Sequence, residues 1–343
     1  MNNKFARSEH REDEKGVVLL IVLILMLFVA VIATDIIKSS RYDYSGAVYL
    51  KNTYAGTALL ESAAETAQGL FQHNAAGENG TAFIELAQNF NSTLINTSSL
   101  LEAGELSGKI EDEESRFPIN MHSGNATIMK NVLTGLLVNL CDAHGFGSSD
   151  TEGYARNYVD SVCCWTGNGT LCDNDKDDYR SADPGFTMPE RPMVTLDELL
   201  LINRPDGWLN DEEFGTLFHG SGTIPGLKDL VTPYSDGPMN INTLKREVVM
   251  AFVPVELSKD DRLNFYDDVV AGRADNKGNT GWFKAFAAQQ PATYKKYIPE
   301  VGYSSETARV TIQFNNGIYS SSLMEVFKGD SKSGRIKYKK YGY

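Results

Sequence analysis

Val17-Val-Leu-Leu-Ile-Val-Leu-Ile-Leu-Met-Leu-Phe-Val-Ala-Val-Ile-Ala-Thr34 is eighteen residues with neither a charge nor a proline. As a helix this run spans roughly 27 Å at about 1.5 Å per residue, close to the ~30 Å hydrocarbon core of a bilayer. It is the one stretch able to make a membrane pass. The sixteen residues ahead of it are polar and charge-balanced, Lys4, Arg7, Arg11 and Lys15 against Glu9, Glu12, Asp13 and Glu14, and they end in Lys15-Gly16. With only Lys38 and Arg41 just beyond the run, the loop rule for basic residues agrees weakly with an N-in orientation. A cleaved secretory signal is the competing reading, with Val31-Ile32-Ala33 as a loose small-residue site.

Away from this run the composition is that of a globular protein. At 343 residues, 42% hydrophobic and 22% charged, the chain divides into two or three compact units and is not disordered as a whole. Its 32 Lys+Arg against 45 Asp+Glu give a net charge of −13, and the acids are spread along the sequence. No basic face exists to neutralise phosphates, so nucleic acid is excluded as a partner.

No proline occurs before Pro118, and Ile36, Ile37, Ala47, Val48, Leu50, Tyr54, Ala58, Leu59 and Ala63 recur at mixed spacings of three and four. The pattern predicts one helix running on to about Phe71. Strict heptads are missing and Gly46, Gly56 and Gly69 interrupt the repeat, which argues against a coiled-coil stalk. Residues 74 to 105, rich in Asn, Ser, Gly and Thr around Phe83, Leu86 and Phe90, read as connection rather than core. Lys109 to Asn120 reads as a hairpin or strand pair ending in an asparagine.

From about Ala126 to Pro299 the pattern changes to short helices. Ile128, Val132, Leu133, Leu136, Leu137 and Leu140 form one apolar stripe, and Tyr154, Tyr158, Val159 and Val162 a second. Thr195-x-x-Glu198, Asn210-x-x-Glu213 and Ser258-x-x-Asp261 are helix-start signals, and Thr243 is the expected cap of a further helix. The tail turns to strands. Val310, Ile312 and Phe314 alternate up to Asn315-Asn316-Gly317, a hairpin turn signal, and Ile318 to Phe327 return. Arg335 to Tyr341 is an edge strand guarded by lysines. A strand segment, a long helical block and then a closing hairpin imply an insertion into a sheet.

A short charged leader, a basic residue, one glycine and an unbroken apolar helix resemble the class III leader of type IV pilins and type II secretion pseudopilins. The resemblance implies cleavage by prepilin peptidase between Gly16 and Val17. It also implies retention of the apolar segment in the bacterial inner membrane, with the C-terminal domain in the periplasm. Members of that family carry Glu as the fifth mature residue, and here that position is Ile21. An unpaired carboxylate at that depth costs at least ~2.5 kcal/mol, so a subunit with no neighbour above has reason to lack it. That absence, Asp112-Glu113-x-x-Arg116-Phe117-x-Ile119-Asn120 and Asn240-Ile241-Asn242-Thr243 together resemble the minor pseudopilin K family.

The resemblance implies an α+β, pilin-like fold: a long N-terminal helix packed on a small antiparallel sheet, with a large inserted all-helical domain. The expected organisation is a leader (1–16), a helix (17–75, of which 17–34 span the membrane), a sheet (76–125 and 300–343) and the insertion (126–299). The implied role is at the tip of the secretion pseudopilus, with minor pseudopilins I and J as partners and exoproteins or the secretin as further contacts. Two alternatives stand beside it: a minor pilin of a type IV pilus or competence system, and a membrane-anchored extracytoplasmic enzyme or binding protein.

Asp173, Asp175 and Asp177 alternate like the first oxygen ligands of a calcium loop, with Asp178 beside them, although the EF-hand spacing is absent. The K family places calcium on such an acidic stretch and on an upstream string of which Asp160 survives, so a calcium site at Asp160, Asp173, Asp175, Asp177 and Asp178 is expected. Cys141, Cys163, Cys164 and Cys172 lie close together, and in an oxidising compartment they are expected to form two disulfides. Excluding a bond between the adjacent Cys163 and Cys164 leaves two pairings open. A zinc set of Cys141, His144, Cys164 and Cys172 matches no familiar spacing. The five histidines lie far apart and no hydrolase motif is present, so no catalytic constellation is expected.

Overall fold

The computed structural model describes residues 6–75, 81–101, 104–120, 126–169, 179, 185, 187–235, 237–276, 279–329 and 335–342. The apolar run is the lower part of one long helix, α1 (Ala6–Ala75). From Gly16 to Tyr54 nearly every side chain is exposed. The upper part is different. Leu60, Ala63, Ala64, Ala67 and Phe71 recur at helical spacing and are all buried. The three alanines let the helix lie close to the sheet, and Phe71 is fixed edge-on between Phe83 and Phe327.

That sheet has four antiparallel strands in the order β1 (Glu105–Asp112), β2 (Thr307–Asn315), β3 (Ser320–Lys328) and β4 (Arg335–Gly342). Ile110 lies opposite Val310, so two segments from distant parts of the chain close one sheet. Ala308, Val310, Ile312 and Phe314 alternate inward toward α1. The hairpin turn between β2 and β3 is held by Asn315 Oδ1, accepting from Gly317 N at 2.8 Å, and Asn316 Oδ1, accepting from Tyr319 N at 2.8 Å. Gly317 takes a positive φ, which the turn requires of a glycine. Gly56 has a different role. A Cβ there would meet Phe314 and Tyr319 at 2.9 Å, so its missing side chain admits the hairpin against α1.

Two expectations fail at this point. Residues 81–101 are not connection but a helix, α2 (Thr81–Leu101), which buries Phe83, Leu86, Phe90 and Leu94 on the sheet beside α1. Nor is Lys109–Asn120 a hairpin: β1 pairs with β2, then a single 3₁₀ turn (Glu113–Ser115) leads the chain out of the sheet.

The helical block has its own core. It contains α3 (Ala126–His144), α4 (Thr151–Trp165), a 3₁₀ segment (Leu196–Leu201), α5 (Asp211–His219), α6 (Arg246–Met250), α7 (Lys259–Asp275) and α8 (Trp282–Gln289). Asn210 and Glu213 cap α5 reciprocally at 2.9 and 3.0 Å. Ser258 accepts from Asp261 N at the start of α7. Glu198 takes the Val194 and Thr195 amides as its motif implies, but the turn it opens is 3₁₀ rather than α. Thr243 caps no helix: α6 begins after Lys245.

The fold is therefore α+β and pilin-like: a long helix on a small antiparallel sheet, with a large helical block inserted between β1 and β2. The root of the insertion is stitched by two short parallel pairings, Phe117-Pro118 with Val231-Thr232 and Met239-Asn240 with Val301-Gly302.

Candidate functional site

Two features stand out from the packed body. One is the protruding half of α1, the single helix among the described residues long and apolar enough to cross a membrane. Gly16 has no heavy atom near the position its Cβ would take, so the expected cleavage point, Gly16 and Val17, lies open to solvent. Ile21 is half exposed like its neighbours. Above the apolar run, Ile36, Ile37, Tyr42, Tyr44, Tyr49, Leu50 and Tyr54 continue an exposed apolar and aromatic surface.

The second feature is a buried polar joint where the insertion meets the sheet. It is built on the run Asp112-Glu113-Glu114-Ser115-Arg116, every member of which is buried. Asp112 sits at the end of β1 and caps the 3₁₀ turn, its Oδ1 accepting from Glu114 N at 2.8 Å. Its Oδ2 accepts from Ser305 Oγ at 2.5 Å, from Asn240 Nδ2 at 3.3 Å and from the Thr243 hydroxyl. Glu114 Oε1 accepts from Ser235 Oγ at 3.1 Å and its Oε2 from Thr307 N at 2.9 Å. Glu113 takes the Thr232 hydroxyl and the Arg309 guanidinium, Nε to Oε1 2.5 Å. Arg116 turns to Glu111 at 3.1 Å. Asn120 completes the arrangement, giving its amide to the Met193 and Pro233 carbonyls and accepting from Met193 N at 2.7 Å.

The two polar motifs singled out in the sequence thus meet in space. Asn240 and Thr243 both donate to Asp112, 128 and 131 positions earlier in the chain. This is why Thr243 is unavailable as a helix cap.

Burial, and then repulsion from Asp112, push the Glu114 carboxyl up to about 8, and burial also raises Asp112. Burial alone would raise Glu111 too, but Arg116 and Lys109 hold it below the usual carboxylate range. Burial and the neighbouring Arg116 bring Lys245 down to about 8, where its ammonium donates to the Asp229 carbonyl at 2.6 Å.

The remaining sequence-picked residues do not join this joint. Asp160, on α4, is ion-paired with Lys130 at 2.7 Å and largely exposed. Asp173, Asp175, Asp177 and Asp178 lie outside the described residues, and among the described residues no three His, Cys, Asp or Glu gather as a metal centre. The two-disulfide expectation is corrected. Cys164 is disulfide-bonded, whereas Cys141 and Cys163 are free and buried, and Cys172 lies outside the described residues. Burial pushes the Cys141 thiol up to about 12 and the Cys163 thiol up to about 11, which deprives both of the thiolate that disulfide exchange requires.

Among the described residues, fold and surface together define a pilin-like fold with one helix able to cross a membrane. No family model and no curated protein matches the chain. Among solved structures it is similar to a chain in the crystal structure of the GspK-GspI-GspJ complex from the enterotoxigenic Escherichia coli type 2 secretion system, at 12% identity and a TM-score of 0.45. The match covers 70% of this chain and 80% of that one.

Proposed function

We propose that this protein is a minor pseudopilin at the tip of a type II secretion pseudopilus. It is made as a precursor, cut by prepilin peptidase between Gly16 and Val17, and held in the inner membrane by residues 17–34 with its body in the periplasm. Its work is assembly, not catalysis: it initiates or caps a fibre whose growth drives export across the outer membrane. The observation that carries the reading is the exposed half of α1. A helix this apolar, projecting unpaired from a body that buries only its upper end, from Gly56 to Phe71, needs lipid below and like helices beside it. Ile21 in place of the usual glutamate leaves this copy nothing to offer a subunit overhead, and the wide insertion suits an end of the fibre.

The partners in this reading are the minor pseudopilins I and J along α1, with exoproteins or the secretin as later contacts. Calcium belongs to the acidic loop, Asp173, Asp175, Asp177 and Asp178. Asp160, the upstream member of the expected set, is ion-paired with Lys130 and largely exposed. Mass spectrometry of the mature N-terminus tests the reading: Val17 as the first residue supports it, and cleavage after Ala33 overturns it. Co-purification with I- and J-like subunits, rather than with components of a retractile pilus, separates it from the type IV alternative.

A further inference from the structure

We propose that Asp112 and Glu114 form a proton-sharing latch that clamps the inserted helical domain onto the sheet, and that loss of the shared proton loosens this clamp. The geometry is the reason. Both carboxyls are almost wholly buried, at 3% and 2% exposure. They lie two residues apart at one 3₁₀ turn, with the Glu114 amide donating to Asp112 Oδ1 at 2.8 Å, and two buried carboxyls held this close without a counterion keep one proton between them. Their other partners are neutral donors: Ser305, Asn240 and Thr243 on Asp112, and Ser235 and the Thr307 amide on Glu114.

The cations of the joint are spent elsewhere. Arg309, on β2, is paired with Glu113 in the turn. Arg116, after the turn, is paired with Glu111 on β1. Lys245, ahead of α6, donates to the Asp229 carbonyl, and Lys337, on β4, donates to the Tyr234 carbonyl. Tyr234 lies under the Arg309 guanidinium and stays protonated, its hydroxyl raised by burial. Among the described residues no cation is ion-paired with Asp112 or Glu114. Two buried like charges without a counterion repel strongly, so the joint keeps one proton.

The groups that accept or supply these bonds sit on both flanks of the insertion. Ser235, Asn240 and Thr243 lie on one strap across its root, and Ser305 and Thr307 on the segment that returns to the sheet. Fully ionised, the pair would push on both straps at once. The sign comes from linkage. The latched state holds a proton that the opened state gives up from about pH 4.5 upward, so latching is strongest below that pH, weakens as the pH rises and levels off above about 8.

The test is hydrogen exchange on the full chain in detergent, corrected for intrinsic rates and read at residues 231–243 and 301–307 against the α3–α4 core. The opening constant of those straps should rise by up to about tenfold per pH unit between about pH 4.5 and about pH 8, while the core stays flat. Glu114→Gln, which keeps a neutral donor and acceptor, should abolish the rise. A flat parent profile overturns the proposal, as does an unchanged slope in Glu114→Gln. If Glu114→Gln does not fold, infrared spectroscopy of the unaltered chain decides. A protonated-carboxyl band present at about pH 6 and lost by about pH 9 supports the latch, and absence of the band at about pH 6 overturns it.

Discussion

The same sheet is gripped twice, and by opposite chemistry. On one side α1 and α2 hold it through Leu60, Phe71, Phe83 and Phe90, an apolar contact with no directional demand. At the far end of β1 the insertion holds it through Asp112, Glu113, Glu114, Arg116 and Arg309, a contact made of buried charge and hydrogen bonds. Apolar burial stabilises in proportion to area at any pH. Buried ion pairs roughly break even on formation, but they fix one geometry because every mispaired alternative is costly. The sheet therefore owes its stability to the helix side, and the insertion owes its defined attitude to the polar side.

Breaking one partner of the ionic joint should give the largest effect. Arg309→Leu removes the close cation of the fully buried Glu113 and leaves it only Arg116, at 4.0 Å. The expected loss lies toward the upper end of about 3–5 kcal/mol. Denaturant unfolding of the full chain in detergent measures it. Adding Glu113→Gln to Arg309→Leu should restore most of the loss, as expected when an uncompensated charge rather than a missing attraction was responsible. If the double variant is as unstable as the single one, the pair is a net stabiliser and the contrast between the two grips is wrong.

On the apolar side, Phe71 sits in a site packed edge-on by two other rings. Emptying that site with Phe71→Ala should cost about 3–4 kcal/mol. The loss should be the same at acid and alkaline pH, because the site is built from aromatic rings. Thr243→Val is smaller and belongs to the polar grip. It keeps the side chain's shape but removes one donor from Asp112. That should cost about 1.5–3 kcal/mol, a loss that shrinks as Asp112 takes up a proton.

The contrast also explains what the sequence did and did not disclose. Apolar periodicity announces itself: the length of α1 and the alternation of β2 are visible as patterns, and so are the caps at Asn210 and Ser258, although of the residues that marked the α1 repeat only Ala63 is buried on the sheet. α2 was obscured because Asn, Ser and Thr dilute its stripe. Four apolar residues at spacings of three and four suffice once a sheet offers them a surface. The polar joint has no period at all. Lys109 to Asn120 reads as a hairpin or strand pair, and the partners of Asp112, Glu113 and Glu114 lie far along the chain at Thr232, Ser235 and Asn240. Only the recurrence of Asn240 and Thr243 in a second polar motif hinted at it. The acidic loop and Cys172 lie outside the described residues, so the calcium reading rests on sequence alone.

The finest test of the apolar grip uses three of the four glycines of α1, Gly46, Gly56 and Gly69, which look alike in sequence. Each lowers helix propensity by up to about 1 kcal/mol relative to alanine. At Gly46 and Gly69 a Cβ would meet nothing. Gly69→Ala should therefore stabilise by about 0.5–1 kcal/mol. At Gly56 the same change drives a Cβ to within 2.9 Å of Phe314 and Tyr319. That crowding should destabilise by about 1–3 kcal/mol. The two substitutions differ in sign though they sit on one helix. Paired unfolding measurements would show whether the hairpin tip presses on α1 as closely as the structure has it. If Gly56→Ala stabilises as Gly69→Ala does, the hairpin and helix are not in contact there, and the apolar grip ends at Leu60.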